Sequence, residues 1–470
     1  MNCTELFFKQ AKDAPNKVAL FDFKGNQTTF GELSQMASLA QDQLRRHGML
    51  PGDTILIQEF PGPRLYSLVI AILSMGATAI LVEPWMPIKN IEKVITATGP
   101  KIFFSGLVGK IWGVRVKGIR NIPRWIGPSL FKHTLSPEKG LVIENVQEEV
   151  PGIITFTTGT TGDPKGVVRH QGYLLHQHRI LTKALHADKH EGVDLCVFAN
   201  FVFLNLASGR PSLIMPFKWT PKNFKKIDDL PDHLKPQTVT SGPSFLMHLL
   251  NHAQLTHLKA AHIGGALTDT WIFEEAMKKW PQTEWTHVYG SSEAEPVSIV
   301  PISEAVKESK NKGFFQTLFL GNQVDDISIN NEENALWVTG DHVCPRYIGN
   351  EEENKKNKKK DEEGRIWHNM GDRIKKDDLG LWYSGRSGQG YEEFLLEQNI
   401  YQFLQSSLSF VMKHKTEDRF ILIGEKMKGR EEEIKKEFPE ISDIKHGKII
   451  RDIRHRSRIN RVESLRKVGL

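Results

Sequence analysis

Residues 155–167 read TFTTGTTGDPKGV, and this stretch decides how the rest of the chain is read. It follows the apolar run Gly152-Ile153-Ile154 and precedes residues at helical spacing (Leu174, Leu175, His178, Ile180, Leu181), so the local reading is strand, loop, helix. Gly159, Gly162 and Gly166 let backbone N–H groups converge on an anion with no Cβ in the way. The hydroxyls of Thr157, Thr158, Thr160 and Thr161 and the ammonium of Lys165 supply further donors. This is the chemistry of a phosphate cradle. It is not a Walker P-loop, which needs G-x-x-x-x-G-K-[ST]: here Gly162 stands three residues before Lys165 and Gly166 follows it.

At 470 residues the chain exceeds one compact core, and domain size divides it into roughly two to four pieces. Hydrophobic residues at 39% and charged residues at 25% are those of a soluble globular protein. A formal charge of +6 favours polyanions or acidic membranes only weakly, and no segment is organised as a nucleic-acid module. Cys3, Cys196 and Cys344 are far apart and odd in number, which gives neither a disulfide framework nor metal-ligand spacing; a reducing cytoplasm is expected. The opening MNCTELFFKQAKDAPNK lacks a basic region followed by an apolar one, so no signal peptide is expected. Residues 65–82 carry no charge and are just long enough to raise a transmembrane question, but Gly76 and the run 78–82 argue for a helix over 65–74, a glycine turn and a buried strand over 77–82.

The first segment alternates strands and amphipathic helices: strand 18–23, helix 30–47, strand 54–58, helix 65–74, strand 77–82, helix 88–98, strand 101–105. The pattern returns through 238–241, 262–264 and 286–289, and such alternation implies a parallel or mixed α/β sheet. Residues 107–131 interleave Lys110, Arg115, Lys117, Arg120 and Arg124 with Trp112, Trp125 and Phe131. This suits peripheral contact with a membrane surface, or equally a solvated insertion whose tryptophans pack on the domain. The run 350–363, NEEENKKNKKKDEE, has too little apolar surface to order itself and is expected to be a mobile loop.

In order along the chain, four further blocks join the Thr/Gly/Lys stretch: Gly264-Gly265-Ala266-Leu267, Tyr289-Gly290-Ser291-Ser292-Glu293-Ala294, Asn369-Met370-Gly371-Asp372, and residues 382–389, WYSGRSGQ. Together they resemble the adenylate-forming superfamily of acyl-CoA synthetases and luciferases. The resemblance implies ATP and Mg²⁺ as cofactors. It implies that Gly264, Gly265 and Ala266 form the small-residue turn on which adenine lies, that Tyr289 stacks on the base, that the Ser292 hydroxyl meets the α-phosphate, and that Glu293 holds Mg²⁺ through oxygen, as a hard cation prefers. Gly290 and Ser291 belong to the same nucleotide-binding block. Asp372 would accept hydrogen bonds from both ribose hydroxyls, and Arg386, in the hinge motif, would contact ribose or phosphate.

Residues 48–91, the run 194–216, residues 289–297 and the C-terminal 451–459 are similar to the olefin β-lactone synthetases and fatty-acyl-AMP ligases of that superfamily. What this implies is attack of a fatty carboxylate on the α-phosphorus of Mg-ATP, giving acyl-AMP and pyrophosphate, and in the β-lactone branch attack of a β-hydroxyl on the activated carbonyl. A second reading ends in a thioester with CoA or a carrier protein, and a third is a nucleotide-binding pseudoenzyme. Arg458 stands where the superfamily has a catalytic lysine, with Lys448 and Lys467 near in sequence but out of place, and a planar fork does not reach as an ammonium does. The catalytic set implied is Lys165, Glu293 and Arg458. Gly388 occupies the hinge position, and the short, charged region beyond it, with a polar helix over 425–437, puts CoA binding in doubt. His170, His176 and His178 lack a carboxylate or cysteine at ligand spacing and read as packing or surface residues. Phe201, Phe203 and Leu204 lie near an acyl pocket or in a buried core strand. The expected architecture is a large α/β domain over 1–384 with mixed β-sheets and flanking helices, and a small α+β cap over 385–470.

Overall fold

A computed structural model describes residues 1–83, 86–131, 140–158, 163–216, 218–311, 318–332, 335–414, 417–425, 427–451 and 459–469. Two large sheets organise the chain. One runs, edge to edge, through Ala294–Pro301, Glu284–Ser291, Ala260–Gly264, Thr238–Ser241, Asp194–Cys196, Ser212–Ile214, Val18–Asp22 and Gln27–Thr29. Its six inner strands are parallel and its outermost strands antiparallel. The other runs Tyr347–Ile348, Pro164–His170, Pro151–Thr158, Thr78–Leu81, Thr54–Gln58, Ile102–Ser105 and Arg124–Ile126. The fold is the α/β class with mixed sheets and flanking helices that the alternation implied.

Local chemistry explains the elements. Helix Phe30–Arg46 begins at a reciprocal cap, where the Glu32 backbone N–H donates to Thr29 Oγ1 at 3.1 Å and the Thr29 N–H donates to Glu32 Oε2 at 2.8 Å. It buries Phe30, Leu33, Ala37 and Leu44. Helix Pro63–Ser74 starts on proline and is buried along Leu65 to Ser74, within a core shared with Ile55, Ala79, Phe104 and Ile153. It ends at Met75, Gly76 turns with φ +66°, and Thr78–Leu81 follows, so the uncharged 65–82 run is a core helix and a strand. No described helix is long and apolar enough to cross a membrane.

Three smaller sheets complete the chain. Two are built within residues 318–386: Leu318–Gly321, Leu381–Arg386 and Asp372–Lys376; and Ile327–Glu332, Ala335–Gly340, Ile366–Asn369 and Lys358–Lys360. The last, Ser409–Lys413, Phe420–Gly424 and Ile441–His446, packs with helix Tyr391–Leu404 around Leu396, Ile400, Val411, Leu422 and Ile434. Strand Leu381–Arg386 runs through the expected 384/385 division.

Three local expectations are corrected. The segment after the phosphate loop is first a strand, Pro164–His170, and only then a helix, Gln171–Ala184, because Val167-Val168 pairs back on Thr155 and Ile154. The run 350–363 is ordered: Asn350 caps helix Glu351–Asn357, and Lys358–Lys360 joins a sheet. The polar helix expected over 425–437 is confined to Glu431–Glu437, after Gly429 at φ +85°.

Candidate functional site

The hairpin of Pro151–Thr158 and Pro164–His170 sets Thr157 opposite Lys165 and Thr158 opposite Pro164. Gly159, Thr160, Thr161 and Gly162 lie outside the described residues, as does Arg458. Gly166 serves packing: a Cβ there would stand 2.8 Å from the Phe156 ring and 3.1 Å from the Ile348 carbonyl oxygen. The Tyr289 block is a second hairpin, its strands Glu284–Ser291 and Ala294–Pro301 meeting at Ser291 opposite Ala294, with Ser292 and Glu293 in the turn. Gly290 fits this turn because a Cβ would come 2.8 Å from the Ala294 carbonyl oxygen.

Arg169 joins the two hairpins. Its guanidinium is buried and donates to Thr155 Oγ1 at 2.8 Å and to the Ser292 carbonyl at 2.9 Å. Tyr347 brings in a third segment. Its hydroxyl donates to Glu293 Oε1 at 2.8 Å, and two ammoniums approach its ring, Lys165 at 5.2 Å and Lys358 at 5.0 Å from the centroid. Lys165 is also ion-paired with Glu353, and Lys358 donates to the Cys344 carbonyl. Helix Glu351–Asn357 is clamped to Tyr347 through Asn354, which accepts from the Tyr347 N–H at 2.7 Å and donates to its carbonyl at 2.9 Å. The charged run is therefore a wall of the site.

These neighbours fix the charge state of Glu293. Burial alone would push its carboxyl up, but His368, the Tyr347 hydroxyl, Lys358 and Lys165 outweigh that and hold it down at about 2. Burial first, and then Lys358, lowers His368 to about 3, so its charge acts on Glu293 only in acid. Burial also lowers Lys358, against the pull of Cys344 and Glu293. Among the described residues no group of three or more His, Cys, Asp and Glu is placed to hold a metal. An ionised Glu293 nevertheless fits Mg²⁺, which is commonly held by one or two carboxylates together with substrate phosphates.

Asp372 is buried at the start of strand Asp372–Lys376, opposite Arg386 in register. Tyr289 donates to its Oδ2 at 2.7 Å and Arg386 donates to its Oδ1. Tyr289 is only 9% exposed, with its ring edge-on to Tyr383 at 6.5 Å, so little of that ring is open to a base. Each carboxylate oxygen keeps a second lone pair for a hydroxyl donor. Gly264 ends a parallel strand where a Cβ would stand 2.6 Å from the Val288 carbonyl oxygen, Gly265 turns with φ +78°, and Ala266 follows half-buried.

Beside this cleft lies an apolar cavity framed by helices Thr4–Asp13, Pro63–Ser74, Gln171–Ala184 and Ala199–Ala207, with Phe7, Leu73, Leu174 and Phe203 in its walls. Phe201, Phe203 and Leu204 line it from a helix, which corrects the core-strand alternative. Two polar residues of its lining reach the Tyr289 block: Gln177 donates to the Glu295 carbonyl at 3.0 Å, and Asn200 to Glu295 Oε2 at 3.1 Å.

The histidines after the loop are structural in two cases. His170 caps its helix, accepting from the Tyr173 N–H at 3.0 Å, and His178, held near 4 by burial, lies 3.1 Å from Ser208 Oγ. His176 differs from expectation in having carboxylates close by, Asp341 at 3.5 Å and Glu148 at 3.8 Å. Sequence reasoning missed Arg169, Tyr347, Glu353, Lys358 and His368. Only Arg169 had a signal, as a cation two turns of pleat beyond the loop lysine.

Residues 7–347 match the family model for AMP-binding enzymes. The chain is 22% identical over 422 residues to an olefin β-lactone synthetase of Stenotrophomonas maltophilia, covering 81% of this chain and 76% of that one. It spans between 14% and 60% of the length of three other curated relatives. In fold it is similar to the amide bond synthetase McbA of Marinactinospora thermotolerans, at TM-score 0.81 and 13% identity with 98% of each chain covered. It is likewise similar to the O-succinylbenzoate coenzyme A synthetase of Bacillus subtilis in complex with AMP, at TM-score 0.77 and 16% identity with 96% of each covered. With a family model spanning well over half its length, the chain belongs to the AMP-binding enzyme family.

Proposed function

We propose that the protein activates a fatty carboxylate as its acyl-adenylate. The observation that carries this reading is the junction of a polar cleft, where Lys165, Glu293 and the Tyr289–Asp372–Arg386 set converge, with an apolar cavity tied to Glu295 through Gln177 and Asn200. Lys165 and the hairpin around it hold the triphosphate, Asp372 accepts the ribose hydroxyls, and the cavity takes the acyl chain. Glu293 would hold Mg²⁺, which when bound supplies charge against the phosphate oxygens. A carboxylate oxygen bonds to the α-phosphorus, the bond from that phosphorus to the bridging β-phosphate oxygen breaks, and pyrophosphate leaves. The side chains act by positioning and by opposing developing negative charge.

Similarity to an olefin β-lactone synthetase supports a second step. The β-hydroxyl oxygen of the same acyl group attacks the activated carbonyl, its proton passes to water, the bond to AMP breaks, and a four-membered lactone remains. Mass spectrometry of products from ATP, Mg²⁺ and a long-chain 2-alkyl-3-hydroxy acid, with and without CoA, tests both steps. The expected outcome is AMP together with an acid that has lost water, independent of CoA. Strict dependence on CoA assigns the protein to the thioester ligases, and no acid-dependent AMP under either condition favours the pseudoenzyme.

A further inference from the structure

We infer that the face built by residues 107–126 docks on an anionic lipid bilayer. Helix Leu107–Arg115 lies at the surface, where it exposes 59% of Ile111 and 70% of Val114. Next to it runs Arg124–Ile126, the edge strand of the seven-stranded sheet, which exposes 41% of Trp125. The indole lies against Gly113, where a Cβ would come within 1.9 Å of the ring, so helix and indole form one continuous surface. Its Nε1 donates inward to the Ile119 carbonyl at 3.1 Å, which leaves an apolar outer face.

Cations surround this surface. Arg115, Lys117, Arg120 and Arg124 are exposed, and none forms an ion pair among the described residues. From Lys93 through Pro137 the chain has no Asp or Glu. The neighbouring Glu92 is committed to the Gly118 N–H, at 3.0 and 2.9 Å from its two oxygens. Exposed Ile, Val and Trp within a ring of unpaired cations match both components of an acidic membrane surface, acyl chains for the apolar residues and headgroup phosphates for the cations. A polynucleotide would meet the cations but gives the aliphatic side chains nothing to bury against. The inference does not depend on the adenylation reading.

Co-sedimentation of the full chain with vesicles of phosphatidylcholine alone, and of phosphatidylcholine mixed with phosphatidylglycerol, tests it. Binding is expected to the mixed vesicles, weakening as salt is raised. Lys117→Gln and Arg120→Gln should each weaken it about fivefold, and Val114→Glu should remove most of it. Thermal unfolding and pyrophosphate release with a short water-soluble acid should stay unchanged in all three variants. Absence of binding to the mixed vesicles, binding that ignores these substitutions, or binding to duplex DNA in place of vesicles would each overturn the inference.

Discussion

Lys165 and Lys358 reach the same tyrosine ring from opposite settings. Lys165 sits on a hairpin strand and is neutralised by Glu353, so on the proposed reading an incoming phosphate must replace that carboxylate. Lys358 comes from the charged run, donates to a backbone carbonyl, and acts on Glu293 through space. The contrast separates a cation that binds an anionic ligand from one that sets the field on a neighbouring carboxylate. Substitution can break that distinction or sharpen it.

The largest effect belongs to Lys165. Lys165→Ala should slow carboxylate-dependent pyrophosphate release by about 10²–10³, the usual cost of one well-placed charge donor in a closed site, and should weaken Mg-ATP binding in calorimetric titration. An equal loss of ATP affinity in Lys358→Ala would erase the distinction between the two lysines. Next comes Glu293→Gln, expected to lower the rate at least about tenfold while leaving ATP affinity within a few-fold, since its charge acts mainly on charge developing during transfer. Equal rates for the two proteins would remove Glu293 from the site.

The site was legible where backbone order matters and hidden where only tertiary placement does. The blocks containing Lys165, Tyr289–Glu293 and Asp372 stand in sequence as hairpin and strand-end motifs, because close backbone approach restricts which residues fit, as at Gly264 and Gly290. The charged run has no such restriction. Its helix turns Glu353 and Asn357, four residues apart, inward, where the Asn357 amide donates to Glu353 at 2.9 Å. The partner of Glu353, Lys165, lies on a distant hairpin that composition cannot reveal. At the level of the fold, the alternation of strands and helices was readable from residue 18 onward; the strand after the phosphate loop was misread because Val167-Val168 is too short a signal beside a longer helical pattern.

Smaller effects sharpen the contrast. Glu353→Gln frees the Lys165 ammonium and should tighten Mg-ATP binding a few-fold in the same titration, at some cost in thermal stability because Asn357 loses a charged acceptor. Weaker ATP binding would mean that Glu353 positions Lys165 and does not compete for it. Lys358→Met should show its effect in acid. Glu293 is held at about 2, below the ordinary 4.5, so it contributes stability that is full above pH 4.5 and lost as pH falls toward 2. Removing Lys358 lessens that depression, and the acid-unfolding midpoint should move upward, by about one pH unit or less. A midpoint that stays put or falls would show that relief of the Lys358–His368 repulsion outweighs the field of Lys358 on Glu293.

Exchange of labelled pyrophosphate into ATP measures the proposed chemistry most directly, because it reports reversal of adenylate formation whatever acceptor follows. Label should enter ATP only when a long-chain carboxylate is present, and the exchange should nearly vanish in Lys165→Ala. ATP binding without carboxylate-dependent exchange, or exchange that survives intact in Lys165→Ala, would contradict the account.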